Sequence, residues 1–190
     1  MRIVAGKWRG RLLEVADADT LRPTGERLRE TLFNWLAPRI EGARCLDLFA
    51  GSGALGFEAL SRGAASAVLV DADAIVVRRL RENAKRLSAD GVEIVRADAR
   101  QWLESQHADP FDIVFLDPPY ADDSIGELCR LMARSDLLVP GARVYFEQPR
   151  SRKGPELPEG WSIDRDKTAG AVRYALVAVG QRSAEKGGTT

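Results

Sequence analysis

Apolar positions along the chain follow two alternating rhythms. From residue 43 onward, short apolar runs at 44–49, 67–70, 92–95, 112–116 and 143–146 read as strands. Between them, apolar residues at helical spacing predict helices at about 54–62, 73–88, 98–106 and 124–135. Strands alternating with helices imply a mostly parallel sheet covered on both faces. The rhythm breaks at the end: runs at 161–167 and 172–179 flank Thr168-Ala169-Gly170-Ala171 and predict an antiparallel hairpin on one sheet edge. Ahead of the core, runs at 2–5 and 11–15 around Gly6-Lys7-Trp8-Arg9-Gly10 predict a β-hairpin or extended arm. A helix follows, capped by Thr24, carrying Leu28, Leu32, Trp35 and Leu36 on one stripe and ending at Pro38. The expectation is an α/β, Rossmann-like, seven-stranded fold in a single domain over 1–180, with the hairpin and helix extension at 1–40 and the core at 43–180. The polar, glycine-bearing stretch 181–190 reads as a disordered tail.

Composition adds little to this picture. At 190 residues and 45% hydrophobic, the chain has the size and apolar content of one globular domain. Lysines and arginines balance aspartates and glutamates, so net charge points to no partner. Two cysteines, Cys45 and Cys129, with no CxxC spacing, fit a reducing compartment and speak against a disulfide framework or a zinc site. The single histidine, His107, sits in a polar loop and is given no role. No run approaches the ~18 apolar residues of a membrane span, and the N-terminus has no signal-peptide core. A cytoplasmic monomer is the expectation.

Chemistry enters at the loop after the first core strand. Asp47-Leu48-Phe49-Ala50-Gly51-Ser52-Gly53-Ala54-Leu55-Gly56 contains GxGxxG, and Asp71 follows near the end of the second strand. By motif alone this is a dinucleotide fingerprint, and a nicotinamide-dependent oxidoreductase is its simplest reading. Asp47 argues against that reading: a carboxylate beside the loop repels the pyrophosphate that a dinucleotide places there. S-adenosylmethionine has no phosphate and carries a sulfonium and an ammonium, so an acid at this position attracts it. Asp71 suits ribose hydroxyls, because a carboxylate only accepts hydrogen bonds. Asp98, before Ala99, can accept from an adenine amino group at the end of the third strand. Asp71-Ala72 and Asp98-Ala99 could instead be ordinary helix caps. All three acids fall at the strand ends where open α/β sheets bind ligands. The cofactor set is therefore Asp47, Phe49, Ala50, Gly51, Ser52, Gly53, Asp71, Ala72, Asp98 and Ala99.

A second motif follows the fourth strand. In Asp117-Pro118-Pro119-Tyr120 two prolines remove two backbone donors and stiffen the chain. The Asp117 carboxylate and neighbouring carbonyls then form a fixed group of acceptors, with Tyr120 offering a face for stacking. That arrangement fits a planar base or amide with an exocyclic NH2, whose delocalised lone pair makes it a poor nucleophile unless it is held and polarised. A plain turn with a surface tyrosine is the competing reading.

Asp47–Gly53 together with Asp117–Tyr120 resembles the class I methyltransferases that modify amino nitrogens. The likeness narrows with Trp8-Arg9-Gly10-Arg11, Leu21-Arg22-Pro23-Thr24, Arg27, Arg29-Glu30-Thr31-Leu32-Phe33-Asn34-Trp35-Leu36 and Glu58-Ala59-Leu60-Ser61-Arg62. These closely resemble the bacterial 16S ribosomal RNA guanine-N2 methyltransferase family (RsmD-like), from residue 2 to about 179. The resemblance implies S-adenosylmethionine as cofactor and a guanine of small-subunit ribosomal RNA as substrate, within the subunit or an assembly intermediate. One departure is Asp71, where many relatives carry glutamate. Residues 122–160 carry little of the likeness.

Basic residues suggest where RNA would lie. Arg2, Lys7, Arg9 and Arg11 line the arm with Trp8 among them, Arg22, Arg27 and Arg29 follow with Arg22 and Thr24 near the expected mouth, and Arg150, Arg152 and Lys153 form a second cluster. Both clusters are expected near the active-site edge, and Trp8 could equally pin the arm as a core residue. The basic face at 78–86 reads as a solvated helix surface. An adenine-N6 DNA methyltransferase is the nearest enzymatic rival, though the chain has no room for a separate DNA-recognition domain. A non-catalytic RNA-binding module has no use for the strand-end acids.

Overall fold

The computed structural model describes residues 1–14, 25–105, 109–119 and 124–180. Thr24, Arg22, His107, Tyr120 and the tail at 181–190 lie outside the described residues. Five parallel strands form the core: β1 (Arg44–Asp47), β2 (Ser66–Asp71), β3 (Val92–Arg96), β4 (Phe111–Leu116) and β5 (Leu138–Pro149). β6 (Ser162–Ala169) and β7 (Val172–Ala178) complete a seven-stranded sheet in the order β3-β2-β1-β4-β5-β7-β6. β7 runs antiparallel to β5 and β6 antiparallel to β7, as the C-terminal hairpin reading required. β6 exposes nearly every residue of Ser-Ile-Asp-Arg-Asp-Lys-Thr, and such a charged edge discourages pairing with another chain.

Helices α1 (Gly25–Leu36), α2 (Ala54–Ser61) and α3 (Ala74–Leu87) cover one face of the sheet. There Leu32, Phe33, Phe57 and Leu80 pack against Cys45, Leu69, Phe115 and Tyr145. Helices α4 (Ala99–Glu104) and α5 (Ile125–Arg134) cover the other, with Trp102, Leu128 and Met132 against Leu46, Val70, Val114 and Phe146. Alternate residues of each central strand serve opposite faces, which is why these strands read as unbroken apolar runs rather than as alternating ones. Gly56 lets α2 approach the sheet: a Cβ there would stand 2.7 Å from the Leu69 side chain. The chain reverses direction across the sheet between β1 and β4. That switch point is where an open α/β sheet leaves a crevice beyond its strand ends.

Two expectations change. The N-terminal arm is not a pair of strands; it is a closed loop with a single antiparallel bridge, Arg2 to Leu12. Its backbone bonds run Ile3 N–H to Arg11 O (3.0 Å) and Leu13 N–H to Met1 O (2.7 Å). A second set of its hydrogen bonds goes to α2. Buried Glu58 accepts from the Val4 and Ala5 amides at 2.8 and 3.0 Å and from Arg62 at 2.7 Å. Ser61 Oγ donates to Ala5 O (2.6 Å) and accepts from the Trp8 amide (3.0 Å). An arm held by side chains of another element cannot show strand periodicity. Strand β5 is also longer than its apolar centre, because Pro140-Gly141 and Glu147-Gln148 disguise its ends.

Candidate active site

The C-terminal ends of β1, β2, β3 and β4 open on a cavity of about 760 Å3. Its wall includes Phe49, Ala50, Gly51 and Ser52 from the loop after β1, Asp71 and Ala72 after β2, Asp98 and Ala99 after β3, and Asp117, Pro118 and Pro119 after β4. Most of the residues proposed from the sequence for cofactor and catalysis are thus brought to one place. Asp47 and Gly53 are not in the wall. Gly53 is the cap of α2 with φ 77°, and a Cβ there would stand 2.5 Å from the Phe57 ring, so glycine is needed for both backbone and packing.

Each strand-end acid has a distinct environment. Asp71 binds the backbone with both oxygens: Oδ2 accepts from the Gly51 amide at 2.9 Å and Oδ1 from the Asp73 amide at 2.9 Å. It therefore fastens the glycine loop to β2 and keeps lone pairs for a further donor, since a carboxylate has about four acceptor positions. The cap of α3 is Asp73, not Asp71. Asp98 does cap α4, accepting from the Arg100 and Gln101 amides through Oδ1. The capping alternative is therefore realised at Asp98 alone, with its carboxylate still in the cavity wall.

Asp47 lies one layer deeper than its sequence position suggests. It is 2% exposed, and its Oδ2 accepts from the Gly56 amide at 3.2 Å beneath the glycine loop. Its Oδ1 is buried without a hydrogen-bond partner. Burial pushes its carboxyl up to about 7, against the pull of backbone amides, and the charges of Asp117 and Asp71 raise it further. An unfolded chain ionises this group near 3.9. The stability tied to its proton is thus full below about pH 4 and is lost as pH rises through about 7, at about 1.4 kcal/mol per unit of the gap. Urea unfolding of the ligand-free protein at about pH 5 and about pH 8 should show wild type losing more stability with rising pH than Asp47→Asn. Equal losses in the two would remove the assignment of this proton to Asp47.

The wall also contains residues the sequence did not single out for it. Arg29 and Leu28 come from α1, Glu147 from β5, Val172 from β7 and Met1 from the arm. Met1 reaches the glycine loop, where Ser52 Oγ lies 3.4 Å from its sulfur. Glu147 follows the register pair Leu116–Phe146 and so stands beside Asp117 at the ends of neighbouring strands. Its Oε1 accepts from Tyr145 Oη at 2.8 Å.

The basic arm takes a position different from the expected one. Met1 is at the cavity, but the arm's tip meets the far end of α2, where the Lys7 amide donates to Ser61 O at 2.8 Å. An eight-residue helix spans about 12 Å, so Lys7 and Arg9 are set back from the mouth by roughly that length. Trp8 is 8% exposed and belongs to the core, with Lys7 Nζ over its ring at 4.4 Å; it pins the arm and offers no face to a base. Arg2, Lys7, Arg9 and Arg11 are exposed, although Arg11 donates to the Arg86 carbonyl at 2.8 Å. On α3, Arg79 and Arg86 pair with Glu14 of the arm, so part of this basic face has a structural use.

Comparison with known proteins agrees with this geometry. The family model described as conserved hypothetical protein 95 matches residues 1–178. The chain belongs to that family. It is 46% identical over 176 residues to ribosomal RNA small subunit methyltransferase D of Escherichia coli strain K12, covering 93% of this chain and 88% of that protein. The namesake from Haemophilus influenzae is 42% identical over 179 residues, covering 93% and 92%. Among solved structures, yhhF of Escherichia coli superposes with a TM-score of 0.88 at 45% identity, covering 95% of this chain and 98% of that one. The family member described here is a class I methyltransferase, as the motifs at 47–53 and 117–120 implied. The oxidoreductase and non-catalytic readings fall away.

The residues present fit S-adenosylmethionine. Four carboxylates, Asp71, Asp98, Asp117 and Glu147, stand in an otherwise largely apolar wall with Arg29 and Arg100, a set that favours a ligand that is mostly cationic and hydroxyl-bearing. Asp71 and Asp98 sit on successive strand ends at the glycine-loop side of the cavity, positions that suit ribose and adenine. Among the described residues no group of metal-ligating side chains occurs, and no helix is long and apolar enough to cross a membrane.

Proposed function

We propose that this S-adenosylmethionine-dependent enzyme methylates the exocyclic N2 amine of one guanine in 16S ribosomal RNA. The observation that carries the reading is the position of Asp117, exposed in the cavity wall between the glycine loop and Glu147. The ribosomal RNA of the small subunit is taken from the names of relatives at 46% and 42% identity. The bound cofactor supplies an electrophilic methyl group on a cationic sulfur. The chain itself supplies position. Asp117 accepts hydrogen bonds from the amine and turns its lone pair toward the methyl group, and the stiff Pro118-Pro119 turn holds that geometry. When the N–C bond forms, the nitrogen must shed a proton, and Asp117 is placed to take it. Tyr120 is the proposed stacking face. A guanine inside folded RNA must leave its stack to reach a cavity this deep. Arg2, Lys7, Arg9, Arg22 and Thr24 are proposed to contact the RNA backbone, with Arg11 in a partly structural role. The substrate is the small subunit or an assembly intermediate, met by a cytoplasmic monomer.

Methyl-labelled cofactor offered with naked 16S RNA, with unmodified small subunits and with DNA tests this. Label should appear as N2-methylguanine in the ribosomal samples; label in N6-methyladenine overturns the substrate. Asp71→Ala should weaken cofactor binding about 10–100-fold in calorimetry, the scale of hydrogen bonds to a charged acceptor. Because Asp71 also anchors the Gly51 amide, its loss loosens the loop along with the ribose contact.

A further inference from the structure

Arg29 is the one arginine of α1 that turns inward. It is 3% exposed and forms part of the cavity wall. Two of its three nitrogens are used: Nε donates to Gly25 O at 3.2 Å and Nη2 to Arg2 O at 2.9 Å. The third, Nη1, is buried and has no hydrogen-bond partner. Desolvation dominates the environment of this guanidinium, only partly offset by the fields of Glu58, Glu26 and Glu147. A buried donor on a charged group left without an acceptor is costly, and such a group is normally completed by an anion.

The rest of the wall narrows which anion. Its titratable side chains are Asp71, Asp98, Asp117 and Glu147, with Arg100 as the other cationic side chain; the Met1 ammonium is taken up by the Leu13 carbonyl at 3.0 Å. Arg100 stands beside Asp98 at the opposite, β3 end of the cavity and pairs with Glu127 at 3.2 Å. S-adenosylmethionine has two cationic groups and a single anionic one, the α-carboxylate of its methionyl part. We propose that Arg29 holds that carboxylate, fixing the methionyl end between α1 and β4; this rests on the cavity being the S-adenosylmethionine site. An RNA phosphate fits less well, because Arg29 is only 3% exposed while a phosphate within a polymer is held at the surface by its flanking nucleotides. The grip comes from outside the strand ends, since α1 precedes β1 and packs its rings on β4 and β7, Phe33 against Phe115 and Trp35 against Tyr174. It makes Arg29 a residue that selects the intact amino-acid tail, while the strand-end acids select its cationic and hydroxyl groups.

The test compares S-adenosylmethionine with its decarboxylated form, which keeps the sulfonium, ammonium, ribose and adenine but lacks the carboxylate. Calorimetry on the whole protein should show wild type binding the intact cofactor about 10–100-fold more tightly, the range of a charge-assisted bond. Arg29→Gln should lose that factor for the intact cofactor and leave the decarboxylated form unchanged. A residue with a merely structural role would weaken both ligands alike, and that result overturns the proposal, as does a wild type that does not discriminate. If Arg29→Gln fails to fold, Arg29→Lys is measured in the same way: it keeps the charge, and its discrimination should lie between the two. Failure of wild type to bind either ligand would instead remove the reading of the cavity on which the proposal stands.

Discussion

Asp117→Ala should abolish methyl transfer while leaving the cofactor bound. The expected loss in single-turnover rate is about 10²–10³-fold, the scale of removing one preorganised electrostatic partner from a reacting centre. Calorimetry should return the wild-type affinity for S-adenosylmethionine within a few-fold, because the anchors of the glycine loop are Asp71 and Asp47, not Asp117. Asp117→Asn is the sharper variant. It retains a carbonyl acceptor of the same shape but cannot take a proton, so a rate between wild type and Asp117→Ala separates orientation from proton acceptance. Stability should move the other way. The Asp117 charge raises the carboxyl of buried Asp47, so the two groups oppose each other in the ligand-free fold. Removing one acid relieves the other, and the melting temperature of Asp117→Ala should equal or exceed that of wild type. An active site that holds like charges together at a cost in stability is the ordinary trade between function and fold. A variant that lost cofactor binding along with transfer would place Asp117 in the cofactor site and sink its assignment to the substrate amine.

The legible part of this site is the part that one supersecondary unit writes in consecutive residues. Asp71 ends β2, while Gly51, Asp98 and Asp117 follow β1, β3 and β4 within a few residues, and a strand's end can be read from where its apolar run stops. Position along the chain therefore translates directly into position along one sheet edge. Depth is harder to read. Asp47 lies within the same motif as Gly51, yet Asp47 is beneath the loop and Gly51 on its surface, because successive strand residues face opposite sides and α2 covers one of them. Glu147 and Met1 go unread, and Arg29 reads as a surface cation for RNA although it is buried in the wall, because each reaches the cavity from an element with its own structural logic. One signal was available for Arg29. It falls on the stripe of Leu32, Phe33 and Leu36, at spacings of three, four and seven, so a charge stands where α1 buries its apolar face. A charged residue on an apolar stripe is better read as a site than as a solvated face. For Glu147 no comparable signal exists, since β5 reads as ending at Phe146.

The arm provides the larger test of how the fold supports the site. Gly6→Ala should destabilise the whole protein by about 2–5 kcal/mol, combining backbone strain with overpacking. Gly6 has φ 81°, and a Cβ there would lie 1.8 Å from the Ser61 carbonyl oxygen and 2.7 Å from its hydroxyl. Neither atom can yield, because Ser61 O accepts from the Lys7 amide and Ser61 Oγ bonds Ala5 and Trp8. For a chain of this size the melting temperature should fall by about 5–15 °C. Gly10→Ala is the matched control: its φ is 82° with nothing within 4 Å, so it carries the strain without the clash and should cost only about 1 kcal/mol. The difference between the two variants measures the contact of the arm with α2 alone. Two outcomes are distinguishable for Gly6→Ala. If the arm peels away locally, the core melts as before while protease cuts within residues 1–14. If the arm is integral, melting shifts as a whole and the intact fraction resists protease. Integral behaviour is expected, because Ile3, Trp8 and Leu13 are buried in the same cluster as Leu32, Phe57 and Leu80. It has a functional corollary. Met1 and the Arg2 carbonyl, which holds Arg29, both belong to the arm, so loosening it should weaken cofactor binding even though the altered glycine stands at the opposite end of α2.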